Sequence, residues 1–75
     1  MSEEILNRFG YAIRRIRQDR HISQEQLADM CGLHRTYISD VELGKRNVSL
    51  ENIEKMALAF DMTMAELFTE VEKEQ

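Results

Sequence analysis

The sequence has no proline, only three glycines and one cysteine among its 75 residues. Proline breaks helices and glycine weakens them, so their scarcity beside many Glu, Leu, Ile, Lys and Arg residues predicts an all-helical chain. A lone cysteine excludes an internal disulfide, and we interpret Cys31 as a small core residue. A domain of this size is close to the limit for one stable core, so we expect association to add stability.

A basic-then-apolar leader is also missing, as is any apolar run long enough to span a membrane. We therefore expect the protein to remain in the cytoplasm without a membrane partner. His21 and His34 have no Cys, Asp or Glu at metal-ligand spacing, so we predict neither a metal nor a cofactor.

The formal charge of −4 at first argues against a nucleic-acid partner. Its distribution is uneven, because residues 8–20 hold five Arg and one Asp, whereas residues 61–75 hold five acids and one Lys. Charge runs are usually solvated faces, and that interpretation stays open here. Since the basic side coincides with the motif described next, we favour DNA binding.

Residues 24–43 indicate two short helices joined by a tight turn. Leu27, Ala28 and Cys31 recur at helical spacing before Gly32, and Ile38 and Val41 do so after it. Glycine adopts a positive φ at little cost, which a reversal this sharp usually needs. Burial of these positions leaves one face of the second helix outside, and that face carries His34, Arg35, Thr36, Ser39 and Asp40, with Tyr37 on its flank.

The spacing of Ala28, Gly32, Ile38 and Val41 resembles that in the helix-turn-helix of the phage repressor and Cro family. The resemblance covers residues 9–68, and residues 34–57 are similar to the controller proteins of bacterial restriction–modification systems. It implies a bacterial or phage-encoded transcriptional regulator that binds double-stranded DNA and, as a controller, regulates its own gene and a restriction endonuclease gene. A phage repressor or antitoxin-like regulator is the alternative role within this fold.

Two other classes of function are alternatives to a DNA-binding regulator. A protein-interaction module could use the same fold, and its failure to retard any DNA at low salt would distinguish it. An enzyme is the weakest alternative, because the sequence has no nucleophile–base pair, metal set or glycine-rich phosphate loop.

Apolar residues at helical spacing predict three more helices. The first runs to about residue 20 with Gly10 as a close-approach site, the fourth begins at Ser49, and the fifth spans about 63–73. We expect the apolar stripe of the fourth helix to contain Leu50, Ile53, Ala57 and Phe60. The chain is thus predicted to be a single DNA-binding domain over residues 1–75, a compact five-helix repressor-like bundle with its helix-turn-helix in helices 2 and 3.

The exposed face of the third helix supplies the predicted DNA contacts. Arg35 can donate two parallel hydrogen bonds to guanine, and Thr36 can offer a hydroxyl or a methyl group to a base. Asp40 is placed with these base contacts because it could accept from cytosine, although it could instead orient Arg35 or Arg46. Predicted contacts to the DNA backbone are Gln24, His34, Tyr37, Ser39, Lys45, Arg46 and Asn47. Arg46 could alternatively enter a narrow minor groove.

The family resemblance also implies an ion pair between Arg17 and Glu42 that fixes the third helix on the first. One recognition helix reads too few base pairs for a unique site, so we expect a homodimer on a near-palindromic operator. Met64, Phe68 and Val71 on the fifth helix are the predicted dimer interface, although all three could instead complete the monomer core. No residues remain for an effector domain, so we expect regulation through protein concentration without a small-molecule effector.

Overall fold

The computed structural model describes residues 2–74, which form five helices and no strand. They are α1 (Ser2–Asp19), α2 (Gln24–Cys31), α3 (Arg35–Glu42), α4 (Leu50–Ala59) and α5 (Met64–Lys73). The predicted all-helical class and the number and order of the helices are confirmed. α3 packs against both α2 and α1, whereas α5 packs mainly against α1 and α4.

Side-chain caps determine where three of the helices begin. Ser23 Oγ accepts a hydrogen bond from the backbone N–H of Gln26 at 3.0 Å, and the Gln26 side chain accepts from the Ser23 N–H at 2.8 Å. Thr63 and Glu66 form the same reciprocal pair at the start of α5. These caps satisfy backbone N–H groups that have no partner within the first turn. Ser49 caps α4 through the N–H of Asn52.

The turns use left-handed backbone after four helices, at His21, Gly32, Gly44 and Asp61. Gly32 closes α2 with φ of 69°, as predicted for the reversal between α2 and α3. His21 and Asp61 also adopt positive φ, 56° in each case, in the turns that follow α1 and α4. Left-handed backbone is costly for a residue with a Cβ, so His21 is held there by the helices on either side.

The core lies where all five helices meet. Its buried residues are all apolar: Phe9, Ala12, Ile13, Ile16, Leu27, Ala28, Cys31, Ile38, Val41, Met56, Ala57, Phe60, Leu67 and Val71. Among residues 4–74, no polar or charged residue is buried over its whole surface, although the side chains of Arg17 and Glu42 are almost entirely covered. Burial raises the pKa of the Cys31 thiol, which agrees with its predicted role as a core residue.

Two apolar assignments were wrong. Leu50 is 72% exposed, because it lies at the first position of α4, and Met56 takes its place in the buried stripe. Val71 is fully buried, so its side chain belongs to the monomer core and cannot form a dimer interface on the surface. Of the three residues predicted for the interface, only Met64 and Phe68 keep exposed surface, and both also pack against the core.

Gly10 permits a close contact between α1 and the end of α3. A Cβ at this position would lie 2.8 Å from the carbonyl oxygen of Glu42 and closer still to that of Val41. Backbone carbonyls cannot move away without shifting α3, so any larger residue would push the two helices apart. The predicted close-approach role of Gly10 is therefore confirmed.

Candidate nucleic-acid interface

The core presents one face of α3 to solvent. Ile38 and Val41 are 0% and 1% exposed and fix the inner face of this helix. Arg35 and Thr36 lie in the first turn of the helix, and both are exposed. The end of α3 that the sequence predicts to enter a DNA groove is therefore open to a partner.

A buried ion pair anchors the other end of this helix. Arg17 Nε donates to Glu42 Oε2 at 2.6 Å and Arg17 Nη2 donates to Oε1 at 3.0 Å, with the side chains 12% and 4% exposed. Arg17 Nη1 also donates to the carbonyl of Ile22 at 2.9 Å. The contact implied by the family resemblance is thus present, and it connects α3 with α1 and with the turn before α2.

Gln24 has a contact that the sequence did not reveal. Its side-chain Nε2 donates to Glu42 Oε1 at 3.0 Å, so α2 joins the pair that holds the end of α3. The side chain is still partly exposed beside the first backbone N–H groups of α2. A phosphate contact at Gln24 would therefore occur at a residue that is already oriented by Glu42.

The start of α3 has no side-chain cap, as expected from Leu33 and His34. His34 occupies the N-cap position with extended backbone and makes no capping hydrogen bond. His34 is exposed at this end of α3, and Ser39 keeps partly exposed surface further along the helix. Uncapped N–H groups at a helix start attract anions, which suits the predicted phosphate contacts.

The loop after α3 carries the remaining predicted DNA contacts. Gly44 has φ of 75° and Lys45 N donates to Asp40 O at 2.9 Å, which ends the helix sharply. Lys45, Arg46 and Asn47 follow as three consecutive exposed residues. They form a short basic segment at the C-terminal end of the exposed helix.

Tyr37 is oriented by a residue on α4, and Arg46 by residues on α3. The Tyr37 hydroxyl accepts a hydrogen bond from Asn52 Nδ2 at 3.1 Å, which leaves its own proton free to be donated. The guanidinium of Arg46 lies 5.1 Å from the centre of the Tyr37 ring, and its Nε is 3.4 Å from Asp40 Oδ2. Sequence analysis missed Asn52, whose only visible signal was its position in the first turn of α4.

Two arginines of the basic stretch of α1 are paired with acidic residues near the end of the chain. Arg8 pairs with Glu72 at 3.4 Å, and Arg15 pairs with Glu70 at 3.0 Å and with Glu74 at 2.7 Å. Hydrogen bonds from Lys73 and then from Arg15 lower the pKa of Glu70. Arg8 and Arg15 therefore join α1 to the C-terminal segment, and their charge is already balanced within the protein.

The described part of the chain contains neither a metal-binding cluster nor a membrane-spanning helix. In residues 2–74, no group of three or more His, Cys, Asp or Glu side chains could hold a metal ion. No helix in this part of the chain is long and apolar enough to cross a bilayer.

Known helix-turn-helix proteins are similar to this chain in sequence. A family profile described as helix-turn-helix matches residues 13–67. Control protein C.MunI from Mycoplasma sp is 44% identical over 72 residues, which cover 95% of this chain and 97% of that protein.

Two solved structures extend the similarity to three dimensions. The restriction-modification controller protein C.AhdI from Aeromonas hydrophila has a TM-score of 0.81 at 49% identity, covering 84% of this chain and 96% of that one. The restriction-modification controller protein C.Esp1396I, solved as a tetramer in complex with its natural 35 base-pair operator, has a TM-score of 0.86 at 30% identity. That match covers 93% of this chain and 92% of C.Esp1396I. The predicted resemblance to controller proteins is confirmed.

Proposed function

The chain belongs to the helix-turn-helix family of DNA-binding regulators, and we propose that it acts as a homodimer on a near-palindromic operator as the controller of a restriction–modification system. The observation that carries this proposal is the exposed first turn of α3, held outward by a buried ion pair at the other end of the helix. As a bacterial or phage-encoded regulator, it would meet its DNA target in the cytoplasm.

Arg35 and Thr36 are the residues that contact bases. B-DNA accepts an α-helix in its major groove, where a guanidinium can bind guanine O6 and N7 together. Both side chains are exposed in the first turn of α3, which is the end that enters the groove in this class of protein. The residues around them hold the DNA backbone through phosphate oxygens: Gln24, His34, Tyr37, Ser39, Lys45 and Asn47. Arg46, in the same loop, takes the alternative role of reaching into the minor groove.

The dimer forms through the edge where α4 meets the start of α5. Leu50 and Leu58 are 72% and 69% exposed, and they lie eight residues apart on α4, which places them on the same face. Met64 lines a shallow depression with Leu50, so the apolar surface continues onto α5. Phe68 contributes less, because its ring packs on Phe9 with the centroids 6.1 Å apart.

The controller role rests on the sequence similarity to controller proteins. C.Esp1396I was solved as a tetramer on its natural operator, and two dimers of this chain on adjacent sites would make operator occupancy depend on protein concentration. Activation at low occupancy and repression at high occupancy would follow without a small-molecule effector. The genes beside this one distinguish a controller from a phage repressor or an antitoxin-like regulator.

Selection of bound duplexes from a random DNA pool tests the proposal. We expect the enriched sequences to contain two inverted half-sites whose centres lie about one helical turn apart.

Sedimentation of the protein at micromolar concentration, with and without the selected duplex, measures the oligomeric state. Loss of dimer in Leu58→Ser, with Leu43→Ser as an exposed-leucine control on a different segment, would locate the interface. A monomer in both conditions, or no enrichment, would refute the homodimeric regulator.

A further inference from the structure

Asp40 is an unexpected residue on a surface that faces DNA. It lies on α3 one turn after Thr36, and its side chain is 29% exposed. A carboxylate at this position repels phosphates and therefore weakens binding to every DNA sequence. Its presence on this surface is explained if it also has a role that favours the operator. We propose that Asp40 is a specificity-determining residue that positions Arg46 and does not itself contact a base. This inference rests on the proposed function.

Arg46 is held from two sides. Its Nε lies 3.4 Å from Asp40 Oδ2 on α3, and its guanidinium stacks 5.1 Å from the Tyr37 ring centre. The ring itself is fixed, because it packs against the core and its hydroxyl accepts from Asn52 on α4 at 3.1 Å. A carboxylate and an aromatic face together define both the direction and the plane of a guanidinium.

The ion pair leaves the reactive end of Arg46 available. Asp40 approaches Nε, whereas the two terminal Nη groups carry the remaining four N–H donors of a guanidinium. The Arg46 side chain is 50% exposed, so these donors can reach a base edge, which is the contact that discrimination between sequences requires. Arg46 is therefore oriented before DNA arrives, and it needs little reordering when it binds.

Orientation and charge have different effects on different DNA sequences. The negative charge of Asp40 reduces attraction to all phosphates alike, so it lowers operator and non-operator affinity together. Fixed Nη donors help only where the DNA presents acceptors at the matching position. Asp40 consequently lowers general affinity and raises discrimination between sequences.

Asp40→Asn tests whether Asp40 lowers general affinity and raises discrimination, because the substitution removes the charge and keeps the shape of the side chain. We expect non-operator binding at fixed salt to tighten about threefold, since one charge opposing the phosphates is lost. We expect the ratio of operator to non-operator affinity to fall about tenfold, which corresponds to ~1.4 kcal/mol of lost discrimination. Asp29→Asn removes an equal charge from an exposed position on α2 and should leave the ratio unchanged.

A double-variant cycle separates positioning from direct contact. In an Arg46→Met background, Asp40→Asn should change the affinity ratio no further, because the residue that it orients is gone. An equal loss of discrimination in both backgrounds would show that Asp40 contacts DNA itself and would overturn the inference. An unchanged ratio in the single variant would also overturn it.

A measurement without DNA keeps this inference distinct from the proposed function. The Nε–H resonance of Arg46 in the free protein should shift in Asp40→Asn and stay in place in Asp29→Asn. No shift in Asp40→Asn would overturn the positioning role even if the protein binds its operator. A wild-type protein that fails to distinguish operator from other DNA would refute the proposed function, and the specificity role of Asp40 would fall with it.

Discussion

Replacing Glu42 with alanine leaves the guanidinium of Arg17 buried without its carboxylate. The two side chains are only 4% and 12% exposed, so water cannot fully replace the lost partner. Removing one member of a buried pair typically costs about 3–5 kcal/mol. Arg17 keeps its hydrogen bond to the Ile22 carbonyl, whereas Gln24 loses its acceptor, so we expect a loss of about 3 kcal/mol from the lower end of that range.

This loss is large for so small a protein. Domains of this size are typically stable by only about 5–10 kcal/mol, so Glu42→Ala should stay folded at low temperature with little margin. Urea unfolding followed by far-UV circular dichroism measures the free-energy change, and Tm should fall by about 12–24 °C at 4–8 °C per kcal/mol.

Glu72→Gln is the matched control for the Glu42 prediction. It also removes a carboxylate from an arginine pair with α1, but Glu72 is 72% exposed and lies 3.4 Å from Arg8. Exposed pairs contribute about 0–1 kcal/mol, so this variant should unfold almost as the wild type does. If Glu42→Ala cost no more than Glu72→Gln, the buried pair could not be what fixes the end of α3.

Three further substitutions test the interface and the backbone. Arg35→Ala should weaken operator binding by about 1–3 kcal/mol and relax preference at one position in each half-site, whereas equal weakening on all sequences would reassign Arg35 to the DNA backbone. Lys45→Ala should reduce the slope of log affinity against log salt by about one with little change in base preference, and an unchanged slope would remove Lys45 from the phosphate contacts. His21→Gly should raise the free energy of unfolding by up to about 1.5 kcal/mol, because relief of ~1–2 kcal/mol of left-handed strain is offset by only ~0.4–1 kcal/mol of added chain entropy. A less stable His21→Gly protein in urea unfolding would contradict that balance.

Local features of this fold were predictable from the sequence. The capping pair of Ser23 and Gln26 involves residues three positions apart, so the sequence pattern already contains both partners. Gly32 is equally local, because its left-handed φ is needed by its own turn and no neighbouring atom constrains it. The helix boundaries follow from such signals and from the spacing of apolar residues.

Contacts between distant segments were not predictable in the same way. Arg15 meets Glu74 across 59 positions of sequence, and the count of basic residues in α1 gave no sign that this charge is already paired. Leu50 has the right spacing for the buried stripe of α4, but the position of α4 in the bundle leaves it outside the core. Asn52 orients Tyr37 only because the first turn of α4 lies beside α3.

The arrangement of charge explains how an acidic chain can belong to a DNA-binding family. Glu70, Glu72 and Glu74 pair with arginines of α1, and α5 packs mainly against α1 and α4. Free charges interact strongly only within a Debye length of about 8–10 Å at physiological salt, so the net charge of the whole chain matters less than the groups nearest the phosphates. In the binding mode proposed above, those groups are Arg35, Lys45 and Arg46, and the acid beside them, Asp40, is paired with Arg46. That mode predicts that the local field of α3 and its loop, rather than the total of −4, attracts DNA.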